Sequence, residues 1–157
     1  MKRNRAFTGL KVAAICIAGI LSLPAQAATC SIASVAGNWA YTYNGTVFVP
    51  NPLPVAAVGR AHLASSGNVA GSQTHTLAGQ TEVEDISGTY TVNKDCTGSM
   101  TINVSLNGQL LRTATLNVAY DTDVNHARMI FTSLTLADGT TLPAVITADV
   151  NRVATKN

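Results

Sequence analysis

From Ile86 to Tyr120 the chain reads ISGTYTVNKDCTGSMTINVSLNGQLLRTATLNVAY, and this run leaves few ways to fold. Met100, Ile102, Val104 and Leu106 alternate with Thr101, Asn103, Ser105 and Asn107. A period of two sends successive side chains to opposite faces of a strand, so the stretch predicts a sheet with one apolar face. Asn107-Gly108 follows at once. Both residue types tolerate the positive φ of a type I′ turn, and the pair predicts a tight hairpin. Beyond it Leu110, Ala114, Leu116, Val118 and Tyr120 share a face opposite Thr113, Thr115 and Asn117. Upstream, Asn93 to Gly98 forms a longer turn carrying Cys96. The result is a three-stranded antiparallel meander.

The rest of the chain extends it. Ser31 to Ala36 suits a short lead-in with one helical turn. Gly37 to Tyr43 alternates Trp39, Tyr41 and Tyr43 with small or polar residues, which predicts a strand with its aromatics on one face. Asn44-Gly45 reads as a turn or a bulge, and Thr46 to Val49 continues extended. Pro50 to Pro54 holds three prolines, and because proline has no N–H to donate, the segment is expected to break the ladder as a rigid loop. Val55 to Ala64 and Val69 to Leu77 form a hairpin around Ser65-Ser66-Gly67-Asn68. Gln80 to Val92 is a long strand expected to kink near Asp85, since Val83 fits one alternation and Ile86, Tyr90 and Val92 the other. Ala127 to Leu136, the Asp138-Gly139 turn and Thr140 to Val150 complete the set, with Asn151 to Asn157 as a fraying tail. Eight sequential antiparallel strands joined by short turns predict an all-β fold: a closed up-and-down barrel, with a two-sheet β-sandwich as the alternative.

Residues 1–27 read as a secretory signal peptide. Lys2, Arg3, Arg5 and Lys11 precede an apolar run from Val12 to Leu23, and Ala25-Gln26-Ala27 supplies a cleavage site. The run is short for a membrane span and is followed by Pro24. Removal would leave residues 28–157 as a single barrel domain, secreted or periplasmic by bacterial export, without a membrane span. It would also change the charge. Four of the ten Lys and Arg lie in the leader and none of the eight Asp and Glu does, so six bases against eight acids leave −2 in place of +2. The basic character belongs to the leader, and nothing in the remainder points to nucleic acid.

Cys16 lies in the leader, which leaves Cys30 and Cys96 as an even pair in an exported chain and predicts a disulfide. Closing so long a loop stabilises by about 4 kcal/mol in the chain-entropy view. A lipoprotein cysteine at Cys30 lacks the expected leucine and small residue before it, and the wide spacing does not suit a redox-active pair.

Two motifs carry resemblances. Gly37-Asn38-Trp39 at the first strand, with Arg152 just after the last, resembles the Gly-x-Trp and covering arginine of lipocalins and other calycins. Gly88 to Gly98, GTYTVNKDCTG, is similar to a Gly-x-Tyr-x-Val-x-x-Asp-Cys-x-Gly segment of small secreted bacterial proteins with a barrel like that of allene oxide cyclase. The resemblance implies a secreted bacterial calycin-like barrel and transfers no catalytic residue.

Candidate chemistry is sparse. His62, His75 and His126 lie on separate elements without metal-motif spacing, so no metal or cofactor is implied. His75 shares its alternation with Val69, Gln73 and Leu77 and could face inward; a hydrogen-bonded structural histidine is the plainer alternative. Glu82 and Glu84 share a face and could act as acid and base, although a solvated strand face explains them as simply. Asp121, Asp123 and Asn125 read as a polar turn without the glycine and distal Glu of a calcium loop. Arg112 falls on the apolar face of its strand and could hold a carboxylate bidentately, or extend to the rim. The expected role is a barrel that holds a small apolar ligand or presents its rim to a partner, with Trp39, Tyr41, His75, Arg112, Leu116 and Val118 as candidate ligand-binding residues and no catalytic set. An isomerase or cyclase acting on a lipid-like substrate, using Glu82, His75 and Arg112, is the second reading. A structural envelope protein with a packed core is the third.

Overall fold

The computed structural model describes residues 29–154, so the predicted signal peptide lies outside the described residues. A short helix, α1 (Ile32–Val35), is followed by eight strands: β1 (Gly37–Val49), β2 (Asn51–Leu63), β3 (Asn68–Leu77), β4 (Gln80–Val92), β5 (Thr97–Leu106), β6 (Gln109–Tyr120), β7 (His126–Leu136) and β8 (Ala144–Arg152). Each strand pairs antiparallel with the next, and β8 pairs with β1 from Trp39↔Arg152 to Val47↔Ala144. The sheet is therefore a closed up-and-down barrel and not a sandwich. Closure leaves no free sheet edge, and one continuous apolar core occupies most of the interior.

Asn107-Gly108 makes the expected tight turn, with φ of 51° and 79°. Ala78-Gly79 does the same at 48° and 87°, although alanine is not a residue that announces it. β1 is unbroken through Asn44-Gly45, so neither a turn nor a bulge occurs there. A Cβ at Gly45 would run into the Val145 carbonyl on β8, and the missing side chain lets the two strands approach.

The proline segment also departs from expectation. β2 begins at Asn51 and pairs with β1 through Pro52↔Phe48 and Pro54↔Thr46. On its other side β3 ends at Leu77, opposite Val55. The Pro54 carbonyl accepts from Ala78 N on that side, and the ring nitrogen of a strand residue faces the same way as its carbonyl. The nitrogen therefore points where no ladder requires a donor, which is why proline is tolerated.

β4 is not kinked at Asp85; its register with β3 runs unshifted from Asn68↔Thr89 to Leu77↔Gln80. Val83 faces outward at 68% exposure. The bulges lie elsewhere. Between β5 and β6 the register passes from Val104↔Arg112 to Ser105↔Leu110, which turns Leu110 outward, contrary to its expected place on the inner face. Between β6 and β7 it passes from Thr115↔Ser133 to Leu116↔Phe131. That shift lets both Phe131 and Leu134 point inward. The last strand starts at Ala144 and not at Thr140; Thr141 makes a single bridge to Thr135, and Pro143 follows. Asn151 and Arg152 belong to β8 and do not fray from it.

One end of the barrel is closed by α1. Ser31 and Ser34 cap it reciprocally, each backbone N–H bonded to the other's hydroxyl. Trp39 Nε1 donates to the Val35 carbonyl at 3.0 Å, and Arg152 covers the indole ring with its guanidinium carbon 5.1 Å from the centroid. The Tyr90 hydroxyl donates to Ala64 O at 2.8 Å. The Cys30–Cys96 disulfide, with Cα atoms 5.0 Å apart, ties the residues before α1 to the β4–β5 turn at the same end. The hairpins of the opposite end surround the mouth.

Candidate functional site

Six polar side chains turn into the barrel between its apolar middle and its mouth: Tyr41 and Tyr43 from β1, Gln73 and His75 from β3, Glu84 from β4 and Arg112 from β6. Each occupies an inward position of its strand's alternation. What allows them to meet is the row of small residues on β2. Trp39 lies across from Ala61, Tyr41 from Gly59 and Tyr43 from Ala57, so each aromatic of β1 leans over a residue too small to block it. Gly59 matters most. It is paired with Gln73 on its other side, and a Cβ there would sit 2.6 Å from the Tyr41 hydroxyl. Without that Cβ, the Tyr41 hydroxyl crosses β2 and donates to Gln73 Oε1 at 3.0 Å.

Glu84 is the centre of the cluster and is 2% exposed. Arg112 holds its carboxylate in a fork, Nη1 to Oε1 at 2.8 Å and Nη2 to Oε2 at 2.6 Å. Gln73, its cross-strand partner on β3, donates Nε2 to Oε2 at 2.7 Å. His75 Nδ1 lies 3.6 Å from Oε1. Gln73 Nε2 also lies 3.4 Å from the Tyr43 hydroxyl. A carboxylate this deep requires such partners, since an unpaired buried charge costs several kcal/mol.

The electrostatics follow the geometry. Burial alone would raise the Glu84 pKa, but the hydrogen bonds of Arg112 and Gln73 outweigh it and hold the carboxyl below its ordinary value. Burial, and then the Arg112 charge, push His75 below the ordinary imidazole value against the weaker pull of Glu84. Burial raises both Tyr41 and Tyr43. Near neutral pH the cluster is one anion, one cation and neutral groups.

Beneath it lies an interior cavity of about 70 Å³. Its walls are mostly apolar, among them Trp39, Met100, Ile102, Leu116 and Phe131, and its polar contributions come from Tyr41, Tyr43, Gln73, Arg112 and the Tyr120 hydroxyl, which is buried with no hydrogen-bond partner among the described residues. Of the residues singled out from sequence, Trp39, Tyr41, Arg112 and Leu116 line this space. Val118 is buried in the core and His75 is buried beside Glu84, and neither is on the cavity wall. Arg112 turns inward to Glu84 and does not extend to the rim.

Glu84 corrects the reading of the acidic stretch as a solvated face. Glu82 is exposed and outside the cluster, whereas Glu84 is inside. Their shared alternation with Ile86 and Tyr90 carried the signal, and the assumed kink at Asp85 obscured it. Gln73 and Tyr43 also belong to the cluster without having been marked as site residues. Elsewhere His62 bonds Asn38 at 2.9 Å, and His126 bridges Asp121 at 3.1 Å and Asp149 at 2.8 Å at the α1 end. No group of three or more His, Cys, Asp or Glu arranged to hold a metal occurs among the described residues, and no described helix is long and apolar enough to cross a membrane.

No protein-family model matches the chain, and no curated protein matches it in sequence. Solved structures are similar to it in fold alone. One is the S-type phycobiliprotein lyase CPES from Guillardia theta, at 8% identity and a TM-score of 0.46, covering 80% of this chain and 92% of that one. Another is Rv2717c from M. tuberculosis, at 13% identity and a TM-score of 0.41, covering 78% and 95%. Likenesses of this degree leave the site to be read from this chain's own residues.

Proposed function

We propose that the protein is an exported barrel that binds one small, largely apolar molecule in its interior, beneath the Glu84–Arg112 cluster. The observation that carries this reading is that a buried ion pair stands at the end of an apolar cavity. Replacing such a pair with apolar side chains is often neutral or stabilising, so packing alone does not account for it. A barrel serving only as a packed structural component needs neither the pair nor the space. The cavity also limits the occupant: about 70 Å³ suits a short chain and not a full fatty acid in this conformation. Native mass spectrometry of protein purified from its own source, with Trp39 fluorescence during titration of short apolar probes, tests the reading. A carried ligand or a saturable response is expected; the absence of both overturns it.

Export is part of the proposal. It is supported by the basic, apolar and Ala-Gln-Ala pattern of residues 1–27 and by the disulfide, which persists in oxidising compartments. N-terminal sequencing of the exported protein should begin at Ala28. A chain retained in the cell with its leader intact contradicts this.

One observation favours the isomerase or cyclase reading: His75, Arg112 and a carboxylate do sit together inside. Yet Arg112 and Gln73 hold Glu84 ionised, and His75 stands off the cavity wall. Recovery of a bound ligand in rearranged form would support catalysis; recovery unchanged after prolonged incubation decides for binding.

A further inference from the structure

We propose that the interior site selects a neutral molecule bearing a carbonyl oxygen and discriminates against the corresponding carboxylate. This inference rests on the proposed binding of a small apolar molecule in the cavity, and it follows from which donors and acceptors of the cluster are already committed. Glu84 accepts from Nη1 and Nη2 of Arg112 and from Gln73 Nε2. The Gln73 amide reaches Glu84 and the Tyr43 oxygen, and its Oε1 accepts the Tyr41 proton. Among the polar groups lining the cavity, what remains is the Tyr43 O–H proton, the Arg112 N–H groups not turned toward Glu84, and the Tyr120 hydroxyl, which is buried with no hydrogen-bond partner among the described residues. Each of these can donate a hydrogen bond. A group that accepts can be met by any of them, whereas an ammonium head, which only donates, finds only the phenolic oxygens.

Charge then separates the acceptors. At first sight an inward arginine suggests an anionic ligand, but Arg112 already has its carboxylate, supplied by the chain itself. The ion pair is neutral as a unit, and His75 adds no charge near neutral pH. A ligand carboxylate would bring an unbalanced negative charge next to Glu84 in a space largely removed from water, which is strongly disfavoured. A ketone, aldehyde or ester oxygen accepts the same hydrogen bonds without that cost. The volume limits the body: at roughly 10–15 Å³ per water-sized group, about five to seven such groups fit.

Three probes of one shape test this: pentan-2-one, its carboxylate isostere butanoate, and 2-methylpentane, in which a methyl replaces the oxygen. Ligand-observed NMR titration gives each affinity for the wild type, Tyr43→Phe and Glu84→Gln, with near-UV circular dichroism confirming that the variants are folded. The wild type should bind pentan-2-one at least about ten-fold more tightly than butanoate. Tyr43→Phe, losing one hydrogen bond, should weaken the ketone about five-fold and leave 2-methylpentane unchanged. Glu84→Gln frees the Arg112 charge and should raise butanoate affinity relative to the ketone. If butanoate binds the wild type as tightly as the ketone, or Tyr43→Phe affects ketone and alkane alike, the carbonyl inference fails while cavity binding stands. If no probe binds at millimolar concentration, cavity binding itself fails.

Discussion

Glu84 on β4 and Arg112 on β6 grip each other over the intervening strand β5, with both oxygens of one facing both terminal nitrogens of the other at 2.8 and 2.6 Å. The fork is nearly dry, with side-chain exposures of 2% and 14%. Breaking a pair of this kind from one side strands the other charge. Arg112→Ala should therefore cost about 3–5 kcal/mol in chemical denaturation. The double variant Glu84→Leu, Arg112→Met should recover most of that loss, because the desolvation of two ions disappears with them. A double variant as unstable as the single one would show that the pair itself carries the stability.

Gly59 predicts a coupling across three strands. Gly59→Ala places a methyl where the Tyr41 hydroxyl passes, so Tyr41 has to leave Gln73. A cost of about 1–3 kcal/mol is expected from the crowding. In a double-mutant cycle with Gln73→Leu, the two changes should be less than additive, since both remove the same hydrogen bond. Full additivity would place the effect of Gly59 elsewhere.

The histidines predict a stability maximum near pH 6.5. His75 is held below 6.5 by burial and by Arg112, so the unfolded chain takes up that proton first. Its contribution is complete above 6.5 and is lost as the pH falls toward the lowered folded value. Glu84, held below 4.5 despite burial by the hydrogen bonds of Arg112 and Gln73, extends the loss at more acidic pH. His126 runs the other way. Hydrogen bonds to Asp149 and then Asp121 raise its pKa, so its contribution is present below 6.5 and is lost as pH rises through the raised value. In urea denaturation across pH, His126→Gln should flatten the alkaline limb. His75→Gln should flatten the limb just below 6.5 and leave the steeper acidic fall.

The disulfide closes a separation of 66 residues. In the chain-entropy model this stabilises by about 4 kcal/mol, through restriction of the unfolded chain. Replacing Cys30 and Cys96 together with serine should lower stability by that order and loosen α1, read as faster acrylamide quenching of Trp39. Intact mass should rise by two hydrogens on reduction of protein purified from an oxidising compartment. Two free thiols before reduction would contradict the bond.

Local pattern carried most of the architecture. Met100, Ile102 and Val104 alternate within one strand, Asn107-Gly108 turns on its own backbone preferences, and eight such units with short links favour a closed barrel over a sandwich. Cysteine parity predicted the Cys30–Cys96 bond because, with Cys16 assigned to the predicted leader, two cysteines admit one pairing. Inward placement of Trp39, Tyr41, Arg112 and Leu116 was likewise readable from period two. What only the tertiary structure decided depends on partners far along the chain. Glu84 is affordable inside because Arg112, 28 residues later, is brought over it by the meander. Pro52 and Pro54 can lie in a strand because β3 stops at Leu77 beside them. Leu110 faces outward because a bulge against β5 shifts its register. A strand's alternation states which side chains share a face. Whether a charge on that face is stable depends on what the neighbouring strands bring within hydrogen-bond distance.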